Sequence, residues 1–322
     1  MQYQGSEGLA WRIVFFGTPS FAVPSLKSLL QGPDKVVGVV TQPDRGKGRG
    51  QKVIFSPVKE VALQHGIPLF QPDGVREEAF QENVGNVRPD LLVVVAFGQI
   101  LPKSLLKIPG SGAINVHASL LPKYRGAAPI QWAVLNGEKV TGVTTMLMDE
   151  GMDTGDILFQ KEVPIEEKET AGTLHDRLSA LGADLLLETI EKMKAGDIHP
   201  VRQNHPVASY APILKKEDGH IDWKREARAI DCQVRGLDPW PGAFTYWEGK
   251  LLKICAGEAA DSVSGVAPGT PGTVVWVCAD FIELRTGKRS YLIREVQLEG
   301  KRRMKVGDFL PGHPISVGTI LK

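Results

Sequence analysis

"WRIVFFGTPSFAVPSLKSLLQG", residues 11–32, begins as a short run of β-branched and aromatic residues ending in glycine and continues with apolar residues at near-helical spacing. The first part reads as a buried strand, the second as a helix. The alternation recurs downstream. "KVVGVVTQPD" (35–44) gives a second buried strand, and "SPVKEVALQHG" (56–66) a second helix with Ser56 as N-cap and Pro57 in its first turn. "PDLLVVVAFG" (89–98) and "GAINVHASLLP" (112–122) are two more apolar strands. Strands that are apolar on both sides and bracketed by helices predict an α/β fold, a mostly parallel sheet with helices on both faces. Ligands of such sheets gather at the carboxyl ends of the strands.

"TAGTLHDRLSALGADLLLETIEKMKAGD" (170–197) has the period of a long amphipathic helix and closes a first domain over 11–200, after a disordered N-terminus at 1–10. The polar, proline-punctuated stretch that follows reads as a linker over 201–213. From 214 to 322 the pattern changes. A short helix around "KREARAIDCQVRGL" precedes short runs such as "GAFTYWEG", "KLLKICAGE", "GTVVWVC" and "SYLIREVQLEG", the spacing of a small β-barrel. Trp240 is expected to anchor the helix against the barrel.

Composition excludes several classes. With 322 residues, 42% hydrophobic, 23% charged and a net charge of +1, the chain is neither disordered nor basic throughout. Cys232, Cys255 and Cys278 are widely spaced without a CxxC pair, so neither a disulfide framework nor a thiolate metal site is expected, and a cytoplasmic location is. No apolar run has the length of a membrane span, and no membrane partner is expected.

Side chains alternate faces along a strand, so Asn115 and His117 point together near the end of the fourth strand. An amide can stabilise an oxyanion, and an imidazole can exchange a proton near neutral pH. Together they suit acyl transfer. "MDEGMDTGD" (148–156) offers Asp149, Asp153 or Asp156 as the carboxylate that would orient His117, and spacing leaves the three open. No GxGxxG follows the first strand, so a dinucleotide site is not indicated. "TQPDRGKGRGQK" (41–52) instead alternates Arg45, Lys47, Arg49 and Lys52 with glycines. Residues 285–305, which include Arg302 and Arg303, carry eight basic side chains against two acidic ones. Two basic segments, one per domain, suggest an extended polyanion as partner.

"INVHASLLPKYRGAAPIQWAVLNG" (114–137), with "VVVAFGQILP" before it and "MDEGMDTGDIL" after it, resembles the folate-dependent formyltransferases. "FFGTPSFAVPSL", "TQPDRGKGRGQKVIFSPVKEVA" and "DPWPGAFT" make the likeness closest to the methionyl-tRNA formyltransferase family, over nearly the whole chain. The resemblance implies a Rossmann-like catalytic domain followed by an OB-like barrel that helps hold tRNA. It implies Asp153 as the catalytic aspartate beside Asn115 and His117. It further implies 10-formyltetrahydrofolate as formyl donor, initiator methionyl-tRNA as acceptor, and no metal. For the folate it points to the loop Phe97, Gly98, Gln99, Ile100 and Leu101, through backbone groups, and to Ser119, Leu120, Leu121 and Pro122. For tRNA it points to the loop 41–52, with Arg49 foremost.

A monomer is expected. The nearest rival is a formyltransferase acting on a small amine, a glycinamide ribonucleotide or an amino-sugar nucleotide; a hydrolase or dehydrogenase built on the same folate domain is another. A non-catalytic RNA-binding module is a rival of a different class, and it leaves the Asn, His and Asp unexplained.

Overall fold

The computed structural model describes residues 10–47, 52–261 and 269–322. The chain divides into two compact units, one from Met1–Pro129, Val140–Pro164 and His175–Ala211, the other from Ile130–Lys139, Ile165–Leu174 and Pro212–Lys322. Along the chain run β1 (Arg12–Gly17), α1 (Val23–Gln31), β2 (Lys35–Val40), β3 (Arg45–Lys47), β4 (Lys52–Ile54), α2 (Pro57–Gln64), β5 (Leu69–Phe70), α3 (Glu78–Asn86) and β6 (Leu91–Val95). They continue with α4 (Lys103–Leu106), β7 (Ala113–His117), β8 (Arg125–Gly126), α5 (Pro129–Leu135), β9 (Val140–Leu147), β10 (Ile157–Pro164), α6 (Ala171–Ala195) and β11 (Tyr210–Ala211).

The first unit is built on a seven-stranded sheet of order β5-β2-β1-β6-β7-β9-β10. The five strands from β5 to β7 are parallel, while β9 runs antiparallel to β7 and β10 to β9. Helices cover both faces, which is why β1, β6 and β7 carry almost unbroken apolar runs. On one side Phe16, Leu92, Val94 and Ala113 pack with Phe80 and Val84 of α3 and Leu105 of α4. On the other side α6 lies so close that a Cβ on Gly182 would come within 2.9 Å of Val116. Thr189 of α6 also bonds Thr145 of β9 at 2.9 Å. The chain leaves β1 for β2 and returns to the opposite flank of β1 as β6, which opens a crevice at the carboxyl ends of these strands. The expected α/β sheet is therefore present, and Ser56 caps α2 as expected, its hydroxyl accepting from Lys59 N at 3.2 Å.

The second unit holds α7 (Ala227–Gly236), β12 (Ala243–Trp247), β13 (Lys250–Ala260), β14 (Val274–Val277), β15 (Ile282–Arg285), β16 (Ser290–Leu298), β17 (Met304–Lys305) and α8 (Val306–Phe309). The strands form an antiparallel sheet of order β12-β13-β16-β15-β14, with β17 on β16. Register shifts between Ile254 and Gly257 bend β13, letting one long strand serve two directions of the sheet. The edge strands β12 and β14 do not pair with each other. The C-terminal segment spans the gap: Tyr246 N donates to Lys322 O at 2.7 Å, and Val274 N donates to Thr319 O at 2.8 Å. Gly318 N and Leu321 N complete the seam on Val274 O and Gly272 O, both at 2.9 Å. The barrel encloses Trp223, Trp247, Ile254, Tyr291, Ile293, Val296 and Phe309.

Trp240 departs from expectation, being 52% exposed. It lies in the turn between α7 and β12, and the prolines on either side, lacking N–H donors, keep it out of both elements. Trp223 and Trp247 fill the core instead. No described helix is long and apolar enough to cross a membrane.

Candidate active site

Strand β7 sends Ile114 and Val116 toward α6, and Ala113, Asn115 and His117 toward the side that carries α3 and α4. Asn115 and His117 are 8% and 6% exposed. Between them stands Asp153. Asn115 Nδ2 donates to Asp153 Oδ1 at 3.3 Å, and His117 Nδ1 lies 3.6 Å from Asp153 Oδ2. Gly126 N donates to the same Oδ2 at 2.8 Å. Neither of the other two candidates bonds Asn115 or His117 among the described residues. Asp149 Oδ1 accepts from Gly151 N at 3.0 Å and Thr154 Oγ1 at 2.6 Å, closing the turn, and Asp156 bonds Leu147 N through its carbonyl.

The far side of the imidazole fixes its proton. His117 Nε2 is 2.9 Å from the carbonyl of Tyr124, an oxygen that can only accept, so Nε2 carries hydrogen. Proton exchange is thereby left to Nδ1, the nitrogen facing Asp153. The Asp153 carboxylate faces that nitrogen, and the neighbouring Asn115 amide adds a neutral donor on the same face. Such a pair can bind an oxyanion and pass a proton.

Asp153 reaches this face from an unexpected direction. Its loop leaves β9 at Leu147, which pairs with Ile114 at the amino end of β7, and Met148 N bonds Ala113 O at 2.8 Å. The chain then doubles back over the sheet face toward His117. A left-handed residue, Asp153 itself with φ of 53°, turns it. Gly155 is obligatory in this turn, because a Cβ would stand 1.8 Å from Leu147 O. Buried Gln203 binds the loop through Asp153 O at 2.9 Å and Gly155 O at 2.7 Å. Arg125, 2% exposed, holds Gln203 in turn, with Nε and Nη2 donating to Oε1 at 3.2 and 2.6 Å. Sequence reasoning missed both residues. Within the stretch expected as a linker, β11 also pairs with β8.

The loop after β6 lies beside this cluster in the crevice. Phe97 and Leu101 bury their side chains in the core, while Ile100 is exposed. Phe97 O accepts from Thr18 Oγ1 at 3.3 Å and Gln42 Nε2 at 3.2 Å, residues supplied by the ends of β1 and β2. Gln99 bridges Gln42 Oε1 at 3.3 Å and Val75 N at 3.2 Å. Gly98 and Ile100 make no hydrogen bond to any described residue, so their backbone donors and acceptors are free for a ligand. Ser119 to Pro122 form a stiff wall after β7. Ser119 Oγ donates to Lys123 O at 2.6 Å, Thr144 Oγ1 donates to Ser119 O at 2.6 Å and accepts from Leu121 N at 3.1 Å, and Gln160 Nε2 holds Leu121 O at 2.9 Å. Leu121 is buried; Leu120 and Pro122 are half-buried.

The basic segments divide differently. Arg45, Lys47 and Lys52 lie on the hairpin β3–β4, their side chains outside the described residues, and Arg49 is wholly outside them. At the foot of this hairpin Asp44 pairs with Lys59, whose ammonium holds the carboxyl below its usual range. In 285–305 much of the positive charge is neutralised. Arg289 pairs with Asp261 at 3.2 Å, Arg294 with Glu258 at 2.6 Å, and Arg303 with Glu295 at 2.6 Å and Asp238 at 3.5 Å. Lys301, Arg302 and Lys305 are exposed and have no carboxylate partner among the described residues. No metal-binding group of three or more His, Cys, Asp or Glu is present among them either.

A family model described as "Formyl transferase" matches residues 11–190, and one described as "Formyl transferase, C-terminal domain" matches residues 213–314. The methionyl-tRNA formyltransferase of Citrifermentans bemidjiense is 53% identical over 310 residues, 96% of each chain. That of Caldanaerobacter subterraneus subsp. tengcongensis is 51% identical over 312 residues, 97% of this chain and 100% of the relative. Two solved structures share the fold at low identity. The N-formyltransferase of Helicobacter canadensis, in complex with folinic acid and dTDP-3-aminofucose, has a TM-score of 0.67 at 20% identity, covering 91% of this chain and 100% of that one. HypX of Aquifex aeolicus with tetrahydrofolic acid has a TM-score of 0.65 at 18% identity, covering 98% of this chain and 51% of that one. Full-length identity of this order, with both family models matched in sequence, means that the chain belongs to the methionyl-tRNA formyltransferase family.

Proposed function

We propose that this chain transfers the formyl group of 10-formyltetrahydrofolate to the α-amine of initiator methionyl-tRNA, with Asn115, His117 and Asp153 as catalytic residues. One observation carries the residue assignment: Asn115 Nδ2 and His117 Nδ1 both converge on the Asp153 carboxylate across a single sheet face. The deprotonated amine attacks the formyl carbon, and the carbonyl oxygen becomes an oxyanion. Asn115 and the Nδ1–H of protonated His117 donate to it; one such donor contributes about 3 kcal/mol to the transition state. Asp153 stabilises the imidazolium and keeps the ring in register. As the C–N10 bond breaks, protonated His117 gives its Nδ1 proton to N10 through water, and the neutral imidazole then takes the proton shed by the attacking nitrogen. Formylated methionyl-tRNA and tetrahydrofolate leave.

For the folate, the free backbone groups of Gly98 and Ile100 match the alternating donors and acceptors of a pterin edge. Phe97, Gln99 and Leu101 hold that loop, and Ser119, Leu120, Leu121 and Pro122 wall the pocket. For tRNA, the hairpin residues Arg45, Lys47, Arg49 and Lys52 and the barrel residues Arg302 and Arg303 meet phosphates, Arg302 being the freer of the last two. The chain acts as a cytoplasmic monomer; its three free thiols support a reducing compartment. The test is formyl transfer to initiator and elongator methionyl-tRNA, a glycinamide ribonucleotide and an amino-sugar nucleotide. Transfer to the initiator is expected; transfer to a small amine alone would refute the tRNA reading.

A further inference from the structure

Arg125 and Gln203 are buried beside Asp153 and take part in none of the steps above. Arg125 has no carboxylate partner among the described residues, an arrangement that is costly unless hydrogen bonds replace the counter-ion. Those bonds come from Gln203 Oε1 and from His205 Nδ1 at 3.0 Å. The opposite end of the Gln203 amide spends both hydrogens on the carbonyls of Asp153 and Gly155. Its orientation is thereby unique, oxygen toward the guanidinium and nitrogen toward the turn. The residue so gripped is the one in left-handed conformation, whose carboxylate must meet Asn115, His117 and the Gly126 amide at once.

We propose that Gln203 is a positioning residue and Arg125 its anchor: together they hold the backbone of Asp153 so that its carboxylate stays against His117. This rests on the assignment of Asp153 as a catalytic residue. The guanidinium polarises the Gln203 carbonyl, which strengthens the two amide donors on the turn. The β8 strand contributes twice, through the Arg125 side chain to the Asp153 backbone and through the Gly126 amide to its carboxylate.

The discriminating variant is Gln203→Glu. A carboxylate keeps both bonds to Arg125 as an ion pair, yet it has no N–H and sets negative charge against the two carbonyls. In the full-length protein we expect kcat to fall at least tenfold, KM for folate donor and for methionyl-tRNA to stay within twofold, and the thermal midpoint not to drop. In the enzyme without substrates, hydrogen exchange of the Gly126 amide should speed up at least tenfold. Arg125→Gln, which stays neutral and can still donate to Gln203, serves as a second variant and should lower kcat by a smaller factor with the same unchanged KM values. Wild-type kcat in Gln203→Glu, or a loss confined to KM, overturns the inference. Unchanged exchange at Gly126 overturns it whatever the substrate, whereas a wild-type enzyme inactive toward methionyl-tRNA refutes the functional reading and leaves the exchange test intact.

Discussion

Replacing Asp153 by asparagine removes one charge and little volume, and the structure sets the scale of the loss. The carboxylate faces His117 Nδ1 at 3.6 Å. At an effective permittivity of about 20 this separation corresponds to about 5 kcal/mol between unit charges, a ceiling because Asp153 keeps some contact with water. Hydrogen bonding adds to it. Two donors, from Asn115 and Gly126, bond the two carboxylate oxygens, and an asparagine would turn an NH2 group toward one of them or toward His117. About 3 kcal/mol of lost transition-state stabilisation is a fair expectation, a fall of roughly a hundredfold or more in kcat. The assay is single-turnover formyl transfer from a preformed complex of enzyme, folate donor and methionyl-tRNA, followed by rapid quench. Circular dichroism and thermal midpoint should match the wild type. A rate within fivefold of wild type, or a loss that appears only in KM, would refute the role given to Asp153.

Asn115→Ala should lower kcat by about 100- to 1,000-fold with the KM for the folate donor nearly unchanged; weakened donor binding with intact turnover would contradict it. Gly155→Ala drives a methyl group into Leu147 O, and overpacking of this kind costs about 1–3 kcal/mol, so both thermal midpoint and kcat should fall. For Arg302→Ala, the logarithmic salt dependence of kcat/KM for methionyl-tRNA should flatten by about one unit while the folate KM is unaffected, and an unaltered slope would take Arg302 out of the interface. Burial pushes the Cys255 thiol up to about 11, so its thiolate is scarce near neutrality and alkylation should accelerate about tenfold per pH unit from 8 to 10; a rate that is already flat at pH 9 would exclude the burial effect.

Much of this architecture is written in local pattern. The runs at 12–17, 35–40, 91–95 and 113–117 are almost wholly apolar because both faces of each strand are covered, and period two alone puts Asn115 and His117 on one side. What local pattern could not say is which carboxylate meets them. Asp149, Asp153 and Asp156 sit within eight residues of one another, and the choice depends on a loop that doubles back across the sheet and on Gly126, 27 residues away. The Arg125–Gln203 contact spans 78 residues, and nothing in "RQNHPVASYAP" distinguishes a buried glutamine from a solvated one. Trp240 misleads for the opposite reason, its type suggesting a core that its proline-flanked turn denies it.

The seam of the barrel carries a consequence for synthesis. Among the described residues, the edges at Tyr246 and Val274 are covered by residues 318–322, which are made after every strand of the barrel. The catalytic sheet can therefore complete itself while the barrel still waits, with two strand edges offering unpaired N–H and C=O groups to any neighbouring chain. A chain cut before residue 318 would keep Asn115, His117 and Asp153 together and fail by sticking to its own kind.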